Sequence, residues 1–243
     1  MVGSAHPTWP HKRDSGSLTI VLTSCCLFCK FFFVSFALFV VKLFLVAASL
    51  RYAIDFMNVR LFIAVEIAEE IRKKVGAFQD ALKKADADVG WVVPKNLHIT
   101  LKFIGAFEEE KIGDIIAIIK DSVSHIRPFD LSYRGVGAFP ARKNPRVIFV
   151  QIIDANGILA NAHERLDNQL RALGVEHEDR RFDAHLTVGR IKTRRNVGNL
   201  MEKLDVYAGT PFGAEHVTQV VLMKSDLSPQ GPTYTKLAGI DLL

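Results

Sequence analysis

Two short stretches of this 243-residue chain repeat one arrangement: His98–Ile99–Thr100 within "NLHITLKFIG" and His185–Leu186–Thr187 within "RFDAHLTVGR". Successive side chains on a strand face opposite ways, so each stretch sets an imidazole and a hydroxyl side by side on one face. Leu97, Ile99 and Leu101 in the first, and Leu186 and Val188 in the second, then point toward a core. Composition alone would place two such pairs among eight histidines in about one chain in a thousand. Taken singly, either pair reads equally as a half-buried, hydrogen-bonded His beside a Thr that suits a strand. Taken together they read as two halves of one site.

Imidazole titrates near pH 6.5, so at neutral pH one His can be neutral while another is protonated. Facing each other, one can draw a proton from water while the other gives one to a leaving oxygen. The Thr hydroxyls are neutral donors able to hold the non-bridging oxygens of a phosphate. Two His and two hydroxyls around a phosphodiester form an acid–base hydrolase site that needs neither metal nor cofactor. The remaining histidines past residue 57, His125, His163, His177 and His216, lack matched partners and read as ordinary surface or helix residues. No Cys-x-x-Cys, His-Glu-x-x-His, phosphate loop or dinucleotide fingerprint occurs there, and "GVG" at 135–137 is only a turn or bulge signal.

The elements that must position these residues follow from periodicity. Strands are expected at 59–65, 97–104, 129–139, 146–152, 181–191, 215–225 and 233–240, where β-branched and aromatic residues gather between turn residues. Apolar stripes at helical spacing mark 66–85, 108–124 and 156–173, with a shorter helix at 197–207. The irregular alternation predicts an α+β fold with antiparallel sheets rather than a doubly wound parallel sheet. A His-Thr strand in each half of the chain hints at internal duplication.

Composition is globular, 49% hydrophobic and 23% charged, but it changes sharply near residue 56. Residues 18–50 are very apolar, interrupted only by Lys30 and Lys42 into charge-free runs of 12, 11 and 8 residues. A membrane span needs about 20 mostly apolar residues. The segment reads as an anchor, a signal-like leader, or residues translated from an upstream start, and the last is favoured. Met57 is followed at once by "NVRLFIAVEI", a first strand that needs nothing before it. The division expected is therefore an extension at 1–56 and a working domain at 57–243.

All three Cys (Cys25, Cys26, Cys29) lie in the extension, which leaves the domain without disulfide or thiol chemistry and fits a cytoplasmic location. Attachment to a membrane would follow only if residues 18–50 are an anchor. The domain holds 26 Lys/Arg against 24 Asp/Glu, a net of +2 too small to forecast partners. Local clustering matters more. Arg180, Arg181, Arg190, Lys192, Arg194 and Arg195 place six basic residues within 16 positions, which suits either an RNA backbone or a solvated loop. Arg190 is the best single phosphate contact, since Arg can bind phosphate bidentately.

With these residues in view, the chain resembles the two-histidine phosphoesterase superfamily, in its RNA 2′,3′-cyclic phosphodiesterase branch once named for 2′-5′ RNA ligase activity. The resemblance rests on "RLFIAV" at 60–65, "LHITLKFIG" at 97–105, "GAFP" and "NPRVIFV" within 137–150, "FDAHLTVGR" at 182–190 and "SDLSPQGPTYTKL" at 225–237. One departure is Ala184, where many bacterial members carry Pro. The resemblance implies a bilobal fold of two antiparallel sheets facing across a cleft, and a metal-free monomer acting on RNA ends or cyclic nucleotides. It implies that His98 donates the proton to the departing 3′ oxygen and that His185 accepts one from water, leaving a 2′-phosphate. Thr100, Thr187, Arg190, Tyr234 and Phe62 would bind substrate, although core packing also suits Phe62. Cleavage of 2′-5′-linked oligonucleotides, or a cleft that only binds an RNA end, remain alternatives.

Overall fold

The computed structural model describes residues 58–229 and 231–243. The expectations for residues 1–56, including the anchor at 18–50, lie outside them. Among the described residues no helix is long and apolar enough to cross a membrane.

Periodicity decides the helices. In α1 (Glu69–Lys83), Ile71, Val75, Phe78 and Leu82 fall on one buried stripe. The same rule gives α2 (Ile112–Val123), buried at Ile115, Ile119 and Val123, and α3 (Ile158–Leu170), buried at Leu159, Ala162, Leu166 and Leu170. The last, α4 (Val197–Asp205), is held by Leu200 and Leu204. The strands are β1 (Asn58–Glu66), β2 (Val89–Trp91), β3 (His98–Glu108), β4 (Phe129–Phe139), β5 (Val147–Ile153), β6 (His185–Ile191), β7 (Pro211–Val217), β8 (Gln219–Ser228) and β9 (Gly231–Asp241).

All nine pair antiparallel in the order β7-β4-β5-β6-β3-β1-β8-β9, with β2 also on β6. The α+β architecture of the sequence reading therefore holds. Its two sheets are halves of one: β7-β4-β5-β6 and β3-β1-β8-β9 meet at a single pair, Ile99 with Leu186. Each half carries two helices, α1 and α4 against β7 and β4, α2 and α3 against β3 and β9. The helices are exchanged. The helix after β1 packs on the far half before the chain returns as β3, and the helix after β5 crosses the other way before β6.

The short strand β2 is absent from the periodicity, β3 runs on to Glu108 and β9 starts at Gly231, and two further boundaries differ in ways that the fold explains. The run at 215–225 is not one strand: it breaks at Thr218, where the chain leaves the edge of one half (β7) and enters the other (β8). Apolar alternation continues through the crossing, so composition does not mark it. Strand β6 begins at His185 rather than at Arg181, because the preceding main chain turns so that the Asp183 carbonyl meets the His185 ring.

The large core lies on the helix side of the sheet, where Leu61, Ile63, Val65, Ile99, Leu101, Leu186 and Val188 are all buried. A small second cluster, Phe62, Ala64 and Val221, packs on the opposite face with Met223 and Tyr234. That second face carries the candidate site.

Candidate active site

The join between the halves brings the two His-Thr pairs together. Ile99 opposes Leu186 in an antiparallel pair. His98 and Thr100 flank Ile99, and His185 and Thr187 flank Leu186, so both imidazoles stand one residue from the join, near enough for the charge of one to bear on the other. No further pair joins β3 to β6, and β6 turns instead to β2 through Gly189, Arg190 and Ile191.

Each imidazole is fixed in the same way. Nδ1 of His98 lies 2.7 Å from the Asn96 carbonyl oxygen, and Nδ1 of His185 lies 2.8 Å from that of Asp183. A carbonyl only accepts, so both Nδ1 atoms donate and both Nε2 atoms are left for chemistry, with a lone pair or a proton. Asn96 is itself anchored: its side-chain amide donates to the Pro232 carbonyl at 2.8 Å, tying the turn before β3 to the start of β9.

Aromatic rings wall both histidines. Phe62 lies 4.8 Å from the His98 ring, and Tyr234 meets it edge-on at 5.2 Å. On the other side Phe139 and Phe149, stacked at 4.2 Å, meet His185 edge-on at 5.1 and 5.7 Å. Phe149 fits only because position 137 is Gly; a Cβ there would come within 2.4 Å of its ring. Phe62 is 3% exposed, so it supports the imidazole and presents no free face to a base. Tyr234 is half-buried and keeps an open edge.

A β-bulge follows the Thr on each strand. Ala64 pairs with Thr100 but Ile63 with Lys102, leaving Leu101 extra; Phe149 pairs with Thr187 but Ile148 with Gly189, leaving Val188 extra. A bulged residue shifts the alternation by one. Leu101 and Lys102 are therefore both buried, as are Val188 and Gly189, and the next residues, Phe103 and Arg190, return to the site face. Arg190 is thus exposed on the face that carries His185 and Thr187. Phe103, 59% exposed and 6.1 Å from the Phe62 ring, is its counterpart. Superimposing "HITLKF" on "HLTVGR" pairs these two positions, a signal already present in the sequence.

The carbonyls released by the bulges are caught by the exchanged helices. His163 of α3, buried and stacked on Phe182 at 4.6 Å, sits with Nδ1 2.7 Å from the Leu101 oxygen. Gln79 of α1, 2% exposed, donates at 2.8 Å to the Val188 oxygen and also to the Val92 oxygen. His163 is thus not the ordinary helix residue that its isolation in sequence implied. Only the topology reveals its partner.

Electrostatics separate the site groups. Burial lowers the His98 pKa below its ordinary value; the Asn96 carbonyl acts the other way, and the nearby His185 lowers it further. Burial raises the Tyr234 phenol, and the Arg190 charge partly offsets this, so Arg190 is felt across the join. The six-residue basic cluster is split by the fold. Arg195 pairs with Asp86 at 3.5 Å, Arg180 lies beside Phe103 and Gly105, and Lys192 and Arg194 line a separate groove. Among the described residues no group of three His, Cys, Asp or Glu side chains is placed to hold a metal ion.

A curled antiparallel sheet that sets two His-x-Thr strands side by side defines a two-histidine phosphoesterase. The chain belongs to the LigT-like phosphoesterase family, which it matches over residues 65–149 and 153–234. It is 38% identical over 181 residues to the RNA 2′,3′-cyclic phosphodiesterase of Methanothermobacter thermautotrophicus, covering 74% of this chain and 97% of that protein. It is likewise 38% identical over 181 residues to the RNA 2′,3′-cyclic phosphodiesterase of Archaeoglobus fulgidus, covering 73% and 97%. The crystal structure of TT0787 of Thermus thermophilus superposes with a TM-score of 0.62 at 29% identity, over 75% of this chain and 97% of that one. Escherichia coli LigT complexed with 3′-AMP, at 22% identity and a TM-score of 0.61 over 76% and 98%, shares the fold.

Proposed function

We propose that this protein hydrolyses the 2′,3′-cyclic phosphate ends of RNA to 2′-phosphates by acid–base catalysis between His98 and His185, without a metal. The observation that supports this reading is the single Ile99–Leu186 pair, beside which stand two imidazoles, each with Nδ1 bonded to a carbonyl. The names of the related archaeal proteins support the substrate.

In this reading His185 Nε2 takes a proton from water as the water oxygen attacks phosphorus. His98 Nε2 delivers a proton to the 3′ oxygen as the P–O3′ bond breaks, and the 2′ ester remains. Thr100 and Thr187 donate to the non-bridging oxygens, and Arg190 adds charge where the phosphorane develops it. Tyr234 and Phe103 offer aromatic surface to the terminal nucleoside. With an RNA 5′-hydroxyl in place of water as the nucleophile, the same proton transfers open the cyclic phosphate to a 2′-5′ phosphodiester and a free 3′-hydroxyl, which is the 2′-5′ ligation the family was once named for.

The depressed pKa of His98 bears directly on its role. A proton donor must be charged, yet burial favours the neutral ring in the free enzyme. A bound phosphodiester supplies the missing anion and raises the ring's pKa, so protonation and binding are coupled. The test is a substrate whose leaving group needs no proton. A p-nitrophenyl phosphodiester should be cleaved by His98→Ala within about tenfold of the unmodified enzyme, while hydrolysis of a cyclic nucleotide falls by about 10²–10⁴-fold. Rescue of His185→Ala instead would reverse the roles. Tight binding of the cyclic nucleotide by the unmodified protein, in EDTA and without product, would leave only a binding module.

A further inference from the structure

A second basic feature lies beyond the catalytic residues. The turn between β4 and β5 and the loop after β6 enclose a surface cavity of about 510 Å³, lined by Lys143, Arg146, Lys192 and Arg194. The two loops are joined there: the Ile191 amide donates to the Arg146 carbonyl at 2.8 Å, and Arg194 Nη2 to Asn144 Oδ1 at 3.1 Å. Among the described residues none of the four cations has a carboxylate within 4.0 Å, and no acidic side chain lines the cavity. Their neighbours behave differently, Arg142 pairing with Asp205 and Arg195 with Asp86. Four cations gathered without a counter-charge cost folding energy through mutual repulsion, which an anionic ligand relieves.

Lys192 reaches from the cavity onto the face that carries the site. Gly90 opposes Arg190 in the β2–β6 pair, so a side chain at 90 would share the Arg190 face. A Cβ there would lie 3.2 Å from Lys192 Cε, so the Lys192 stem crosses that face. Lys192 follows Thr187 by five residues along β6, about 16 Å, and Arg146 precedes Phe149 by three along β5, about 10 Å. Those distances span about three to five nucleotides of stacked strand. A 2′,3′-cyclic phosphate ends its chain, so every other phosphate lies on its 5′ side.

We infer that this groove holds the backbone phosphates of the RNA strand leading to the terminal cyclic phosphate, so that the enzyme is built for oligonucleotide ends rather than free cyclic nucleotides. The inference rests on the phosphodiesterase reading above for the identity of the strand end. Its test is independent of turnover: fluorescence anisotropy on the full chain with labelled five-nucleotide RNA ending in a 2′-phosphate. Nucleoside 2′-monophosphate serves as competitor, and cyclic mononucleotide hydrolysis is assayed in parallel. The oligonucleotide should bind at least tenfold more tightly than the monophosphate, with a log–log salt slope steeper by about 2, the value for three phosphates on a single strand. In the exposed-residue variant Lys143→Ala/Lys192→Ala/Arg194→Ala that advantage should vanish and the extra slope with it, whereas replacement of all three by the other basic residue should preserve both. Equal binding of oligonucleotide and monophosphate, or an advantage that survives the triple variant, would overturn the groove. So would tighter binding of an acidic peptide of equal charge, which would make it a protein-docking site. Oligonucleotide binding lost in the triple variant, without hydrolysis of any cyclic substrate, would keep the groove and reject the phosphodiesterase reading.

Discussion

Replacing His163 with Phe tests whether the exchanged helices position the chemistry. Phe keeps the ring that stacks on Phe182 at 4.6 Å and removes only the donor to the Leu101 carbonyl. That carbonyl belongs to the extra residue of a bulge and has no ladder partner, so losing its hydrogen bond costs about 1–3 kcal/mol. For a domain of this size the melting temperature should fall by about 2–10 °C. The effect on rate has a separate origin. The bulge follows Thr100 directly on the strand that carries His98, so its relaxation would shift both side chains, and a displacement of about 1 Å can cost about 10²-fold. Hydrolysis of a cyclic nucleotide well below the melting point should show kcat reduced by about 10–100-fold with KM changed less than about threefold. Ser122→Ala is the control: it also removes a buried hydrogen bond, 2.8 Å to Gln169 between α2 and α3, and should cost stability without touching kcat. A His163→Phe enzyme that is less stable but turns over at the original rate would show that the clamp is only structural.

Three further expectations follow from the same contacts. Gln79→Met, which frees the Val92 and Val188 carbonyls, should lower kcat less than His163→Phe does, because the Val92 amide still reaches the Val188 oxygen at 3.0 Å; steady-state kinetics at fixed temperature decide it. By NMR the His98 ring should titrate below the ordinary value of about 6.5, and its midpoint should rise in His185→Gln, since removing a second imidazolium removes a cost of charging the first; an unchanged or lower midpoint would contradict the proximity. Lys102→Met should destabilise by about 1.5–3 kcal/mol in urea titrations, because Asp167, 4% exposed, loses the Lys102 ammonium 2.7 Å away and keeps only His177 and the Glu178 amide as partners; an unchanged midpoint would contradict a contribution from the buried pair.

Much of this site is local in sequence and was therefore legible there. Alternation alone puts His98 with Thr100 and His185 with Thr187, and apolar stripes locate all four helices. What sequence does not carry is pairing. Nothing local says that β3 meets β6 at one residue pair, that α1 and α3 are exchanged, or that the apolar run at 215–225 spans a crossing between halves. His163 and Gln79 escape notice for the same reason, since their partners are main-chain carbonyls 62 and 109 residues distant. From sequence Phe62 suits core packing as well as base stacking, and its burial beneath His98 decides for packing. The basic cluster reads as one patch because its members are near in sequence, although the fold sends Arg180, Arg190, Arg195 and the pair Lys192 and Arg194 to four places.

The claim that His98 and His185 act together on one phosphorus is tested most directly by a double-mutant cycle. Rates of 2′,3′-cyclic phosphate hydrolysis by the unmodified enzyme, His98→Ala, His185→Ala and the double variant would be compared in EDTA under single-turnover conditions. Acting in one step, the two rings should be strongly non-additive: each single loss costs about 10²–10⁴-fold, and the double variant is little slower than the slower single one. A double variant slowed by the product of the two single effects, or either single variant retaining most of its activity, would contradict the account.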